Sequence, residues 1–137
     1  MGILIDTSVL IDAERGRLDL RDHLESAGPE AVHISVITAS ELLLGIHRSA
    51  DAGHRARRTA FVEHVLRSIP VLPIDLGVAR VHAELAAAVR AAGAPVGPHD
   101  LWLAATAVAR GLTLTTSNAR ELGRVPGLAI EDWRRVG

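Results

Sequence analysis

Three acidic residues each stand near the start of a helical pattern: Asp6 after Ile3-Leu4-Ile5, Glu41 after Thr38-Ala39-Ser40, and Asp100 after Gly97-Pro98-His99. Gathered in one cleft, they would form an all-oxygen site for a hard divalent cation. Two unit charges about 4 Å apart repel by roughly 4 kcal/mol at an effective dielectric near 20, so such a cluster needs Mg²⁺, Mn²⁺ or protons to persist. Each acid also has a purely local explanation. Asp6 can cap a helix beginning near Thr7, Thr38-x-x-Glu41 fits a capping box, and Asp100 falls at the third helical position if Pro98 is the first. The functional reading turns on whether the three converge.

The elements that must position them are short. Five apolar runs read as buried strands: 3–5, 32–36, 71–74, 112–115 and 128–130. Helical patterns lie between them at about 8–15, 19–26, 38–50, 54–68, 75–92 and 99–110. The clearest carries Val78, Val81, Leu85 and Val89 at helical spacing and ends at Gly93, and the last is rich in small residues (Ala104, Ala105, Ala107). Strands alternating with helices indicate an α/β class, a parallel sheet covered by helices. In such sheets ligands bind beyond the carboxyl ends of the strands. Asp6, Glu41 and the Thr115-Thr116-Ser117-Asn118 segment should therefore share one edge. Asp100 follows a helix and the Gly/Pro-rich loop 92–98, and periodicity alone does not carry it there.

Composition narrows the chemistry. The 137 residues are 48% hydrophobic, enough for one domain with a substantial core. With only Phe61, Trp102 and Trp133 as aromatics, a sheet of base-stacking rings is not the design. The absence of cysteine excludes disulfides and thiolate metal sites. All fifteen basic residues are arginine, which excludes a Walker A loop and Schiff-base chemistry. The formal net charge of −1 means that any nucleic-acid contact comes from a local patch, such as the arginine-rich segment 47–67 (Arg48, Arg55, Arg57, Arg58, Arg67). That segment reads either as a solvated face, as a phosphate-tracking surface, or as an anchor for an acidic protein segment. The seven histidines show no metal-ligand spacing, and only His99, beside Asp100, is placed to touch a substrate. The run from Ile3 to Leu10 is broken by Asp6 and too short to span a bilayer, so a cytoplasmic protein with no membrane association is expected.

Four segments in order, Leu4-Ile5-Asp6-Thr7-Ser8-Val9-Leu10-Ile11, Ser40-Glu41-Leu42-Leu43-Leu44-Gly45, His99-Asp100-Leu101-Trp102-Leu103-Ala104-Ala105-Thr106-Ala107 and Leu114-Thr115-Thr116-Ser117-Asn118, resemble the successive motifs of PIN-domain ribonucleases. More narrowly, they resemble the VapC-type toxins of bacterial toxin–antitoxin pairs. The resemblance covers nearly the whole chain and implies a single PIN domain over residues 1–137, a three-layer fold with a short parallel sheet of about five strands between helices. It implies an endoribonuclease whose Asp6, Glu41 and Asp100 hold Mg²⁺, with Mn²⁺ as a substitute, and it brings Asp100 to the shared edge. It also implies an RNA substrate, a VapB-type antitoxin and a homodimer. Many family members carry a fourth acid in the last motif where this chain has Asn118, with Glu121 three residues on. Asn118 is expected to hydrogen-bond a bound water or cap the helix that follows. Thr7 and Ser8 are expected to cap their helix and orient Asp6, and Arg120 and Arg124 to steady a phosphate.

Two other readings remain at this point. A PIN-like module that binds RNA or protein without turnover draws support from Asn118. A phosphatase of the haloacid-dehalogenase type uses a strand-end aspartate, but it wants a second Asp at position 8, occupied here by Ser8, and a downstream lysine.

Overall fold

The computed structural model describes residues 2–28 and 31–133. Within them the order is β1 (Ile3–Ile5), α1 (Thr7–Glu14), α2 (Leu20–Ala27), β2 (Val32–Ser35), α3 (Val36–His47), α4 (Ala52–Ser68), β3 (Val71–Leu72), α5 (Leu76–Ala91), α6 (Pro98–Arg110), β4 (Thr113–Thr115), α7 (Ala119–Leu122) and β5 (Ile130–Glu131). The strands form one sheet in the order β3-β2-β1-β4-β5, and every pairing is parallel. This is the α/β architecture expected from the alternation of strand and helix patterns.

Successive residues of a strand face opposite sides of the sheet, and the two central strands use this to build two cores. Leu4 and Leu114 point to the face covered by α5, α6 and α7, where they pack with Val78, Leu85, Ala104 and Leu122. Ile5, Val32 and Ile34 point to the other face and pack with Val9, Leu10, Leu42 and Val62 from α1, α3 and α4. Leu4, Ile5, Ile34 and Leu114 are completely buried, as befits a parallel sheet covered on both sides. The alanines of α6, buried at Ala104, Ala105 and Ala107, let α5 and α6 approach closely. Gly111 closes α6 in the left-handed conformation at φ 65°, which is costly for a side-chain-bearing residue, and the chain turns directly into β4.

Several boundaries differ from the sequence expectation for identifiable reasons. The third strand ends at Leu72, because Pro73 has no N–H to give to a ladder. Val36 belongs to α3 and not to β2, since the Ser35 hydroxyl accepts the Ile37 N–H and starts the helix there. The last strand is shifted to Ile130–Glu131. No described helix is long and apolar enough to cross a membrane.

Candidate active site at the carboxyl edge of the sheet

The sheet reverses direction of growth between β1 and β4, with β2 and β3 added on one side and β4 and β5 on the other. A crevice opens beyond the strand ends at such a reversal. Asp6 follows β1 and Thr116 follows β4, so both stand at its mouth. The Asp6 N–H is fixed to the Thr115 carbonyl at 2.9 Å, which continues the β1–β4 ladder to the last residue before the site.

Asp6 occupies the N-cap position of α1, yet its carboxylate caps nothing. It is 3% exposed, and its Oδ2 accepts hydrogen bonds from Ser8 at 2.8 Å and Thr116 at 2.6 Å. Both donors are held in turn. Ser8 Oγ accepts the Ser117 N–H at 3.1 Å, and Thr116 Oγ1 accepts the Asn118 N–H at 2.9 Å. Ser117 also donates to Asp12 at 2.7 Å, so three side-chain links tie the β4–α7 loop onto the first turns of α1.

Glu41 lies in the second turn of α3, because the helix begins at Val36. Thr38 is therefore within the helix, fully buried, and the capping box expected of Thr38 and Glu41 does not form. Glu41 Oε1 accepts from Thr7 at 2.7 Å, and Oε2 lies 3.2 Å from His99 Nδ1. The Thr7 hydroxyl thus orients Glu41, not Asp6, while lying 3.1 Å from the Thr38 hydroxyl.

Asp100 sits in the first turn of α6, whose N-cap is Gly97 and whose first residue is Pro98. It reaches the edge through a tether that strand and helix periods do not reveal. Glu121 accepts the Gly97 N–H through Oε1 at 2.8 Å, and Asn118 Nδ2 donates to both Asp100 Oδ2 and Glu121 Oε2 at 3.1 Å. Asn118 is the N-cap residue of α7, but its side chain makes no cap bond and instead bridges two acids.

The electrostatics record the convergence. The Asp100 carboxyl is held above the ordinary Asp value, first by burial and then by the negative charge of Asp6, with smaller contributions from Glu121 and Glu41; Asn118 opposes them. Glu121 is held below the usual Glu value, first by the Asn118 amide and then by the Gly97 N–H. The charges of Asp6, Glu121 and Glu41 therefore all reach Asp100, and Asn118 is the neutral donor between Asp100 and Glu121. Glu121 is the acid whose part the motif pattern did not single out; its position three residues after Asn118 on the same short helix was the available signal. Arg120 is exposed on α7, and Arg124 donates to the Pro95 carbonyl at 3.4 Å while drawing on the charge of Glu121.

The PIN domain family model matches residues 3–128 of the sequence. The chain belongs to the PIN-domain family. Among PIN-domain proteins it is similar to Ribonuclease VapC1 of Rickettsia felis, at 32% identity over 95% of each chain. It is also similar to the tRNA(fMet)-specific endonuclease VapC of Salmonella typhimurium, at 39% identity over 73% of this chain and 74% of that protein. The fold superposes on that of the DNA-bound VapBC complex from Salmonella typhimurium with a TM-score of 0.89 and 32% identity, covering 97% of this chain and 98% of the other. The PIN domain thus stands among the VapC ribonucleases, and the dehalogenase-type phosphatase reading is set aside, although both kinds of fold suit a strand-end aspartate.

Proposed function

We propose that this PIN domain is a divalent-cation-dependent endoribonuclease and the toxin of a toxin–antitoxin pair, folding and acting as one domain over residues 1–137. The observation that carries the reading is geometric: Thr116 and Asn118, bonded to each other, hold Asp6 on one side and Asp100 with Glu121 on the other, while Glu41 is tied to Thr7 and His99, the neighbours of Asp6 and Asp100 in the chain. The donor set suits Mg²⁺ or Mn²⁺: it is entirely oxygen, without thiolate, and it is electrostatically frustrated without a counter-charge. Among the described residues no three His, Asp or Glu side chains stand in a closed metal-ligand arrangement, and the carboxylate oxygens bond Ser8, Thr116, Thr7, His99 and Asn118. Asp6 and Asp100, with Glu41, would hold the cation.

When bound, the cation supplies a Lewis acid for the scissile phosphate and lowers the pKa of a water nucleophile. The chain's own contribution is positional. Ser8 and Thr116 both bond Oδ2 of Asp6, so neither hydroxyl engages Oδ1. Thr7 fixes Glu41 from the α1 side, and Asn118 donates to both Asp100 and Glu121, holding the two carboxylates on one amide. The proposed partners are an RNA substrate, a VapB-type antitoxin and a second copy of the chain. The second and third rest on the likeness to VapBC complexes and on the sequence resemblance respectively.

The deciding experiment is cleavage of structured RNA with Mg²⁺, Mn²⁺ or EDTA by the wild-type chain and by Asp6→Asn and Asp100→Asn. Cutting that requires the cation and disappears in both folded variants supports the reading. RNA loss that persists unchanged in the variants signals a contaminating nuclease and removes the support. RNA binding without turnover in the wild type leaves the non-catalytic module as the correct description. Recovery of a stable complex with an acidic-tailed protein encoded beside this chain, and its mass by light scattering, tests the partner and dimer proposals.

A further inference from the structure

A groove leaves the carboxylate cluster along the seam between α1, α3 and α4. Its inner end, a cavity of about 450 Å³, is bordered by Thr7, Glu41, Leu44, Gly45, Arg48 and His99. Its outer end, about 330 Å³, is bordered by Arg15, His54, Arg57 and Phe61, and the Glu14–Arg58 pair forms part of the wall at that end. From Thr7 to Glu14, α1 advances about 10 Å at 1.5 Å per residue, which sets the scale of the passage.

The charges along this groove are unevenly matched. Arg58 is satisfied by Glu14 through two bonds, Nε to Oε2 at 3.2 Å and Nη2 to Oε1 at 3.0 Å. Arg15, Arg48 and Arg57 are exposed and, among the described residues, form no ion pair. Beyond Glu41 the passage is therefore positive on a chain whose net charge is −1. Phe61, half-buried at the outer end, offers a ring to a base.

Gly45 helps to shape the wall of the groove. A glycine inside a helix is unfavourable relative to alanine, and Gly45 is not among the residues with positive φ, so its backbone does not require it. What it provides is room for Arg58: a Cβ there would lie 3.3 Å from Arg58 Nη1, which also donates to the Gly45 carbonyl at 3.5 Å.

We propose that this groove carries the single-stranded RNA segment adjoining the scissile phosphate, with Arg48 and Arg57 contacting its phosphates. The proposal rests on the nuclease reading of the carboxylate cluster. A strand whose phosphate lies at Glu41 and Asp100 passes directly into this opening, and that continuity favours RNA over an acidic peptide.

The test is fluorescence anisotropy of a labelled single-stranded RNA oligonucleotide, titrated in EDTA so that cleavage plays no part. Wild-type protein is compared with Arg48→Ala/Arg57→Ala and with a control, Arg80→Ala/Arg90→Ala, on exposed positions of α5. Each lost phosphate contact on a single strand reduces the slope of log affinity against log salt by about 0.7. The groove variant is expected to lose about 1.4 from the slope and roughly 25-fold in affinity at 0.1 M salt, converging on wild type near 1 M. The control keeps the wild-type slope.

An unchanged slope in the groove variant, or an equal loss in the control, overturns the proposal. So does intact RNA affinity accompanied by weakened binding of a poly-glutamate peptide, which would assign the groove to an acidic protein segment. Failure of the nuclease reading appears differently, as slope-sensitive RNA binding by a chain that does not cut with Mg²⁺ or Mn²⁺.

Discussion

Replacing Thr116 by valine removes a hydroxyl with little change of shape, at a residue that is fully buried. That hydroxyl donates to Asp6 Oδ2 at 2.6 Å and accepts the Asn118 N–H at 2.9 Å. A hydrogen bond to a charged group contributes about 1.5–3 kcal/mol, and an N–H left without a partner costs about 1–3 kcal/mol. Ser8 still donates to the same oxygen, so the combined loss should fall near the lower end, about 2–3 kcal/mol. For a chain of this length each kcal/mol moves the melting temperature by roughly 3–5 °C, giving an expected fall of about 6–15 °C. The measurement is thermal unfolding followed by circular dichroism in EDTA at neutral pH, with Thr116→Ser as the control that restores the hydroxyl. Thr116→Val melting within about 2 °C of wild type would refute the claim that the Thr116 hydroxyl anchors Asp6. Calorimetric Mn²⁺ titration of the same variant should show weaker binding, because Asp6 is no longer held from two sides.

Asp100→Asn should stabilise the cation-free protein in a pH-dependent way. The folded carboxyl is raised by burial and by Asp6, so its destabilising effect is absent below the unfolded value and complete above the folded one. The stability gap between variant and wild type should open as pH rises through that window, and a gap that is flat with pH rejects the assignment. Glu121→Ala removes the acceptor for the Gly97 N–H and should speed hydrogen exchange at that amide while lowering RNA cleavage, whereas unchanged protection would show that the 92–98 loop is held by something else. Arg58→Ala leaves Glu14 unpaired at a site where both side chains are about one-fifth exposed, and should cost about 1–3 kcal/mol in urea unfolding. Adding Glu14→Gln should recover part of the loss, and strict additivity in that double-mutant cycle would deny the coupling.

Much of the fold can be read from short-range pattern because the core obeys it. Ile3-Leu4-Ile5 reads as a strand and is one, since a three-residue run buried on two faces has no room for polar alternation. The misread boundaries occur where two local signals compete. Val36 and Ile37 are β-branched and extend the look of a strand, while Ser35 beside them ends it with a helix cap. Thr38 imitates a cap one turn too late. The site divides in the same way. Asp6 and the 115–118 segment are placed by adjacent strands, so the alternation of elements locates them. Asp100 is placed by the Gly97–Glu121 and Asp100–Asn118 bonds, across 24 and 18 residues, and no window of sequence displays such contacts. The family resemblance supplied what periodicity could not.

The helix starts separate the acids that cap from the acids that stand at the crevice. Asp19, Asp51 and Asp75 cap α2, α4 and α5, each accepting the N–H three residues ahead, and Ser35 caps α3. At the crevice the pattern reverses: Asp6, Gly97 and Asn118 occupy the N-cap positions of α1, α6 and α7 without giving a side chain to the helix. Capping typically contributes about 1 kcal/mol, and its omission leaves the first N–H groups of α1, and those that follow Pro98 in α6, without a side-chain cap. Those positive helix ends favour nearby negative charge by about 0.3–1 kcal/mol each, which eases the crowding of four acids. Asp100 is nevertheless held above its ordinary value, so dipoles and hydroxyl donors together do not cancel burial and repulsion at that carboxyl. A cluster made only of capping acids would be relieved by its caps, whereas Asp100 retains a deficit of positive charge, and the proposed cation would remove it without disturbing the hydrogen bonds already on Asp6 Oδ2.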